Sequence, residues 1–191
     1  MLAAEMIDRA VLRASAVAVL KGANTAAGTR VFSPLDFPTT PGNYPVLIVR
    51  TPREHKENNA PRSGLPSFWS TISLAVVGRV EGTTEAAAES ALETLSDQIE
   101  NALLTNGQFI FVNQIQQFSS VETSMEVRAE NERHYGETVV SFAIEVPQYY
   151  EPTIDAAGAL IGPSLTALDL TVTLNTGETQ DVGFNLTLPG G

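Results

Sequence analysis

The sequence predicts an α+β fold, with two helices packed on a mostly antiparallel sheet and a C-terminal β-hairpin extension. Three observations carry this. A period-two segment from Ser67 to Val80 runs straight into a helical segment from Thr84 to Thr105. Short alternating segments flank that unit, in the order helix, strand, strand, strand, helix, strand, strand over residues 4–150. Composition then changes at residue 151, and a new alternating pair follows.

In chain order, residues 4–21 read as a helix. Ile7, Ala10, Val11, Ala14, Val17 and Ala18 form its apolar stripe, and Gly22 is the expected C-terminal cap. Thr29 to Phe32 is a short strand, and three prolines place Ser33 to Asn43 in a loop. Tyr44 to Thr51 is a second strand. Its run Val46-Leu47-Ile48-Val49 suits a strand covered on both faces. Pro52 to Pro66 is the longest polar stretch, with mixed charges and Pro/Gly breaks. It is expected to be a loop that orders at an interface. From Ser67, the side chains Phe68, Ile72, Leu74, Val76 and Val80 form one buried strand face.

Thr84 is the expected N-cap of the long helix, with Glu85 in the first turn. Ala88, Ala91, Leu92, Leu95, Ile99, Ala102 and Leu103 form the buried face, and Glu89, Glu93, Ser96, Asp97 and Glu100 fall away from it. Burying Leu92, Leu95, Ile99 and Leu103 contributes roughly 1.5–3 kcal/mol each before entropy. Asn106-Gly107 is the expected left-handed stop. Ile115 to Arg128 alternates again, with Ile115, Val121, Met125 and Val127 on one face. Ala129 to Gly136 is a charged turn, and Thr138 to Val146 is the last strand of residues 1–150.

Residues 151–191 contain no Lys or Arg and five acids. Pro152, Gly158, Gly162 and Pro163 make the first part a linker. Leu168 to Leu174 and Val182 to Leu188 then alternate on either side of Asn175-Thr176-Gly177-Glu178, a clear hairpin pattern. Two strands alone are marginal in water, so Leu170, Val172, Phe184 and Leu186 are expected to meet a partner surface. With Arg53, Lys56 and Arg62 they are the candidate assembly-interface residues.

With 191 residues the chain suits one domain and an appendage, and it has no Cys for disulfides or thiolate chemistry. No apolar run approaches the roughly 20 residues of a membrane span. The first residues lack the basic start of a signal peptide, so the cytosol is the expected compartment. The net charge of −11 is unevenly spread: residues 1–65 hold eight Lys/Arg and five Asp/Glu, residues 66–191 three and seventeen. The acidic part should repel duplex DNA.

No catalytic arrangement emerges. Gly22 to Gly28 lacks both the Lys-Ser/Thr ending and the preceding strand of a phosphate loop, and no Ser sits in a Gly-x-Ser-x-Gly elbow. His55 and His134 read as solvated loop histidines. Glu122 and Glu126 share a face and could bind a cation or do acid–base work, but on an exposed strand they are ordinarily solvation. Arg53, Lys56 and Arg62 are interleaved with Glu54 and Glu57 and no aromatic stacks among them, so nucleic-acid recognition is weak. No cofactor or metal is expected, and the chain does not read as an enzyme.

The order of elements over residues 5–150 resembles the tail terminator family of long-tailed bacteriophages, proteins related to the lambda-like minor tail protein that caps the tail tube. The resemblance rests on the opening helix with Ile7-Asp8-Arg9-Ala10-Val11-Leu12, the strand Thr29-Arg30-Val31-Phe32 and a Pro-rich turn. The strand Tyr44-Pro45-Val46-Leu47-Ile48-Val49 and a charged loop follow. Next come the long strand from Trp69 to Arg79, the acidic-faced helix 84–105, and two strands ending at Val146-Pro147-Gln148-Tyr149-Tyr150. Residues 151–191 lie beyond the usual family length. The resemblance implies a subunit of a closed six-fold ring in the tail-neck region of a virion. Such a ring stops tail-tube growth and presents its other face to the head–tail connector. Its implied partners are further copies of itself, the tube protein and the connector, with DNA passing through without specific binding. Two other classes compete. One is a related ring protein, such as a connector or tube subunit; the other is a small-ligand binding protein or enzyme using Glu122, Glu126 or His134.

Overall fold

The computed structural model describes residues 7–34, 44–59, 66–130 and 133–150, all within the unit Met1–Glu151. The element order is α1 (Arg9–Gly22), β1 (Val31–Phe32), β2 (Val46–Asn58), β3 (Ser67–Gly82), α2 (Glu85–Leu104), α3 (Gly107–Val112), β4 (Gln117–Glu130) and β5 (Arg133–Tyr149). The five strands form one sheet in the order β1-β2-β3-β5-β4. Only β1 and β2 pair in parallel; the other neighbours are antiparallel. This is the expected α+β architecture, with one helix more than the sequence indicated. The C-terminal hairpin expected around Leu170, Val172, Phe184 and Leu186 falls outside the described residues, as does Arg62.

Both long helices lie on one face of the sheet, and the core sits between. Leu12, Ala16 and Leu20 of α1 join Leu92, Leu95, Ile99 and Leu103 of α2 over Leu47, Val49, Ile72, Leu74, Val76, Val140, Phe142 and Ile144. The buried stripe of α1 is therefore not the expected one: Ala10, Ala14 and Ala18 are exposed. That helix is apolar nearly all round, and burying a Leu removes more area from water than burying an Ala. The two leucines spaced eight apart decide the rotation.

The helix also starts later than residue 4. The Asp8 carboxylate accepts from the Ala10 and Val11 amides at 2.7 and 2.8 Å and fixes the first turn. Gly22 is its last residue rather than its cap; Ala23 caps it and Asn24 takes the left-handed conformation at φ 51°.

Helix α2 matches its sequence pattern. The Thr84 hydroxyl accepts from the Ala87 amide at 3.1 Å, and Ala88, Leu92, Leu95, Ile99 and Leu103 are buried. Ser96 is the exception, since it is buried rather than turned away. Its hydroxyl shares a 2.9 Å hydrogen bond with that of Thr138 and bonds the Leu92 carbonyl, so a polar pair is satisfied inside the core. Glycines let α2 lie close. A methyl on Gly82 would meet the Ala88 backbone nitrogen at 2.7 Å, and one on Gly136 would meet Leu92 at 2.8 Å.

Asn106-Gly107 does not stop α2 in a left-handed turn. Asn106 instead caps α3, its side chain accepting from the Phe109 amide at 2.9 Å. Phe109 is buried, and Asn113 donates to the Ser15 hydroxyl at 2.8 Å, which ties α3 to α1.

The largest departure concerns the polar stretch from Pro52. Residues 52–58 are strand, not loop, and continue β2 along β3. A strand of 16 residues such as β3 offers a ladder that long on either side, and the main chain fills it whatever the side chains. A β-bulge between Arg50 and Arg53 makes this possible. Before it, odd residues face the helices, as Val49 pairs with Val76; after it, even residues do, as Glu54 pairs with Ile72. Pro52, which cannot donate to the ladder, lies at this interruption. The charged turn expected at 129–136 is likewise mostly ladder: β4 runs to Glu130 and β5 starts at Arg133. At its other end β4 starts at Gln117, and Ile115 is buried just before it.

Candidate assembly surface

Among the described residues strand β4 is the edge of the sheet. It pairs there with β5 on one side only, and nearly all its side chains are exposed. Val121 and Met125 point to the helix side, as their pairing with Phe142 and Thr138 requires, yet they are 37% and 42% exposed. They lie at the margin of the ground that α2 covers, where the Thr123 hydroxyl donates to the Glu100 carboxylate at 2.8 Å.

On the opposite face, cross-strand partners form rows. Arg50, Ala75, Ser141 and Glu122 make one row across four strands, and Arg53, Ser73, Ala143 and Ser120 make the next. Nearer the other end, Val46, Arg79, Glu137 and Glu126 are aligned, with Arg79 Nε 2.7 Å from a Glu137 oxygen. Arg128 binds the Glu126 carboxylate through two nitrogens at 2.9 Å and holds its pKa below the ordinary value. Arg133 pairs with Glu81. Val46, Ile48, Ala75 and Val77 on this face are nevertheless buried, so the Val46–Val49 run is covered on both faces as its sequence indicated. Trp69, Pro147 and Tyr149 share this face, with Trp69 and Tyr149 exposed.

Of the expected interface residues, the two that are described lie on different faces of β2. Arg53 is exposed on the face away from the helices; Lys56 is on the helix face. There Lys56 donates to the Tyr150 hydroxyl at 2.5 Å and lies 3.4 Å from Glu54, which also accepts from Ser70 at 2.8 Å and Gln148 at 3.0 Å. Arg9 completes the cluster at 3.4 Å from Glu54. Burial pushes the Glu54 carboxyl up, but the Ser70 and Gln148 hydrogen bonds and the Lys56 ammonium outweigh it and hold the pKa below the ordinary value. Lys56 is thus part of an internal network. Sequence reasoning missed this cluster because it placed both residues in a loop; the available signal was the length of the partner strand.

Glu122, Glu126 and His134 do not converge. The two carboxylates face away from the helices, while His134 pairs with Gly82 on the helix side. Four residues of strand also put Glu122 and Glu126 roughly 13 Å apart. Among the described residues no cluster of three His, Cys, Asp or Glu side chains is placed to hold a metal ion, and no helix is long and apolar enough to cross a membrane.

No family model matches the chain. No curated protein matches it either. Among solved structures, it is similar to a chain of one titled "Virion of native gene transfer agent (GTA) particle", at 15% identity, with 67% of this chain and 85% of that chain covered and a TM-score of 0.33.

Proposed function

We propose that this chain is a non-enzymatic structural protein of a phage tail, a tail terminator that closes into a six-copy ring. The ring ends tube polymerisation and offers its other face to the head–tail connector. Its place is the tail-neck region of the virion, reached from the host cytoplasm during assembly. The observation that carries this is β4: 14 residues of edge strand, exposed on both faces and unpaired on its outer side among the described residues. Edge strands of that length are ordinarily blunted or covered, so a copy in isolation leaves a surface for another chain. The order of elements on which the sequence resemblance rests supports the same reading. So does the acidic outer side of α2, where Glu85, Glu89, Glu93 and Asp97 recur every four residues with no basic residue in the helix. Such a surface suits a channel that DNA crosses without sticking.

Native mass spectrometry of the full chain and electron microscopy of purified tails test this. A closed ring of six at the tube end is expected. Long polymers would identify a tube subunit instead, and a ring on the head side of the joint a connector. A strictly monomeric protein that never occupies the tube end defeats the proposal.

A further inference from the structure

Charge is segregated along the order of the strands. The segment 7–59, which builds α1, β1 and β2, holds seven of the ten Lys/Arg among the described residues, against Asp8, Glu54 and Glu57. At the opposite side of the sheet, α2 and β4 hold eight carboxylates and one basic residue, Arg128. The subunit therefore has a basic pole and an acidic pole at the two ends of one sheet. Arg50, Arg53 and Glu122 are exposed and make no ion pair or side-chain hydrogen bond among the described residues.

We infer that a second copy of this chain is the occupant of each pole, and that the acidic β4 edge of one copy docks on the basic α1/β2 end of the next, leaving the outer side of α2 open to the channel. This rests on the ring reading above and specifies which surfaces form it. Two observations bear it. The first is complementarity: a foreign basic partner would satisfy the acidic pole alone, whereas a head-to-tail repeat satisfies both with one interface. Such a heterologous contact generates rings. The second is strand polarity. β2, β3, β5 and β4 alternate in direction, so β4 of one copy meets β2 of a copy in the same orientation antiparallel. Among the described residues β4 has no outer neighbour, and β1 pairs only with Leu47 and Ile48, which leaves the outer side of β2 open from Arg50 onward. A flush repeat sets Glu122 beside Arg50 of the next copy and Ser120 beside Arg53 of the next copy, because each pair lies on one row. Adjacent strands at about 4.8 Å bring such side chains within ion-pair reach.

The experiment uses the full chain with the poles reversed. Arg50→Glu/Arg53→Glu inverts one, Ser120→Lys/Glu122→Lys the other, and all four side chains are exposed or unpaired in the free subunit. Sedimentation velocity follows self-association of each variant and of their equimolar mixture, with circular dichroism melts to verify folding. Each variant alone is expected to self-associate at least tenfold more weakly than the natural chain, and the mixture to recover association to within about threefold. Assembly of both variants at natural strength overturns the pole assignment while leaving the ring reading intact. Weakened variants that mixing fails to rescue overturn it too. Open polymers that depend on both poles support the docking and defeat tube capping. A natural chain that stays monomeric at every concentration and at low salt defeats the pole assignment, and the ring reading falls with it when the chain is also missing from the tube end.

Discussion

Arg50 and Glu122 stand at the two ends of one cross-strand row, on the sheet face away from the helices, with Ala75 and Ser141 between them. Three inter-strand steps separate them by roughly 14 Å, beyond the screening length of about 8 Å at physiological ionic strength. Their attraction within one subunit is therefore negligible. Arg50→Ala and Glu122→Ala should each change the stability of the monomer by less than about 0.5 kcal/mol, and the double variant should be additive. Urea melts at concentrations below association check this. A coupling above about 0.5 kcal/mol would mean that the two groups meet within a subunit.

Two glycines, one under α2 and one at the end of α1, should tolerate substitution unequally. A methyl at Gly82 meets main chain, the Ala88 nitrogen at 2.7 Å, and the helix start must shift. Gly82→Ala should cost about 1–3 kcal/mol, in the range of core overpacking. Gly22, at the end of α1, has nothing within 4 Å of an added methyl and no positive φ. Gly22→Ala should be neutral or stabilising by up to about 1 kcal/mol. Thermal melts of the two variants should move in opposite directions or by clearly different amounts.

The elements easiest to read from sequence were those with large apolar residues at one clear period. The β3 face from Ile72 to Val80 and the α2 face from Leu92 to Leu103 are buried as their spacing indicated. Reading failed where the main chain, not the side chains, decides. Pro52 to Asn58 is polar throughout and is strand because β3 beside it needs partners. Periodicity also misleads in α1, where many small apolar residues fit several faces and only Leu12 and Leu20 discriminate. The bulge at Arg50/Arg53 inverts parity, so a uniform alternation carried on from Val49 puts Arg53 on the helix face and Lys56 on the other, the reverse of their positions. Of the candidate site, the acidity of α2 and β4 was visible as composition. Its opposition to a basic α1/β2 end depends on strand order, which pairing alone reveals.

The hydroxyls of Ser96 and Thr138 should be energetically coupled. Their oxygens lie 2.9 Å apart under α2, and their two protons are shared among this bond, the Leu92 carbonyl at 2.9 Å and the Ser124 carbonyl at 3.2 Å. Ser96→Ala leaves Thr138 one remaining partner and should cost about 1 kcal/mol. Thr138→Val strands less polarity, because Ser96 still donates to the Leu92 carbonyl. In a double-variant cycle the combined loss should fall short of the sum by about 0.5–1 kcal/mol. Strict additivity in chemical denaturation would show that the shared bond contributes nothing.

Glu54 should make the fold acid-sensitive. Its side chain is 15% exposed and lies within reach of Ser70, Gln148, Lys56 and Arg9. Despite the opposing effect of burial, the hydrogen bonds from Ser70 and Gln148 and the Lys56 charge lower its pKa. The folded carboxyl thus gives up its proton more readily than the unfolded one. For a depressed pKa, the stabilisation is fully present above the unfolded value, about 4.3 for glutamate. It is lost as pH falls through the lower folded value. Lys56 has the opposite sign. Burial lowers its pKa, but the Tyr150 and Glu54 contacts raise it on balance, so its contribution is present below the ordinary lysine value and lost as pH rises through the folded one. Between these limits the network is intact. Glu54→Gln should therefore cost stability at pH 7 by about 1.5–3 kcal/mol, the range for hydrogen bonds to a charged group. It should cost progressively less below pH 4, where the natural chain loses the same interaction. Urea midpoints of both chains between pH 3 and 8 check this. Parallel curves across that range would place the acid sensitivity in other carboxylates, whereas curves that converge only on the acid side assign it to Glu54.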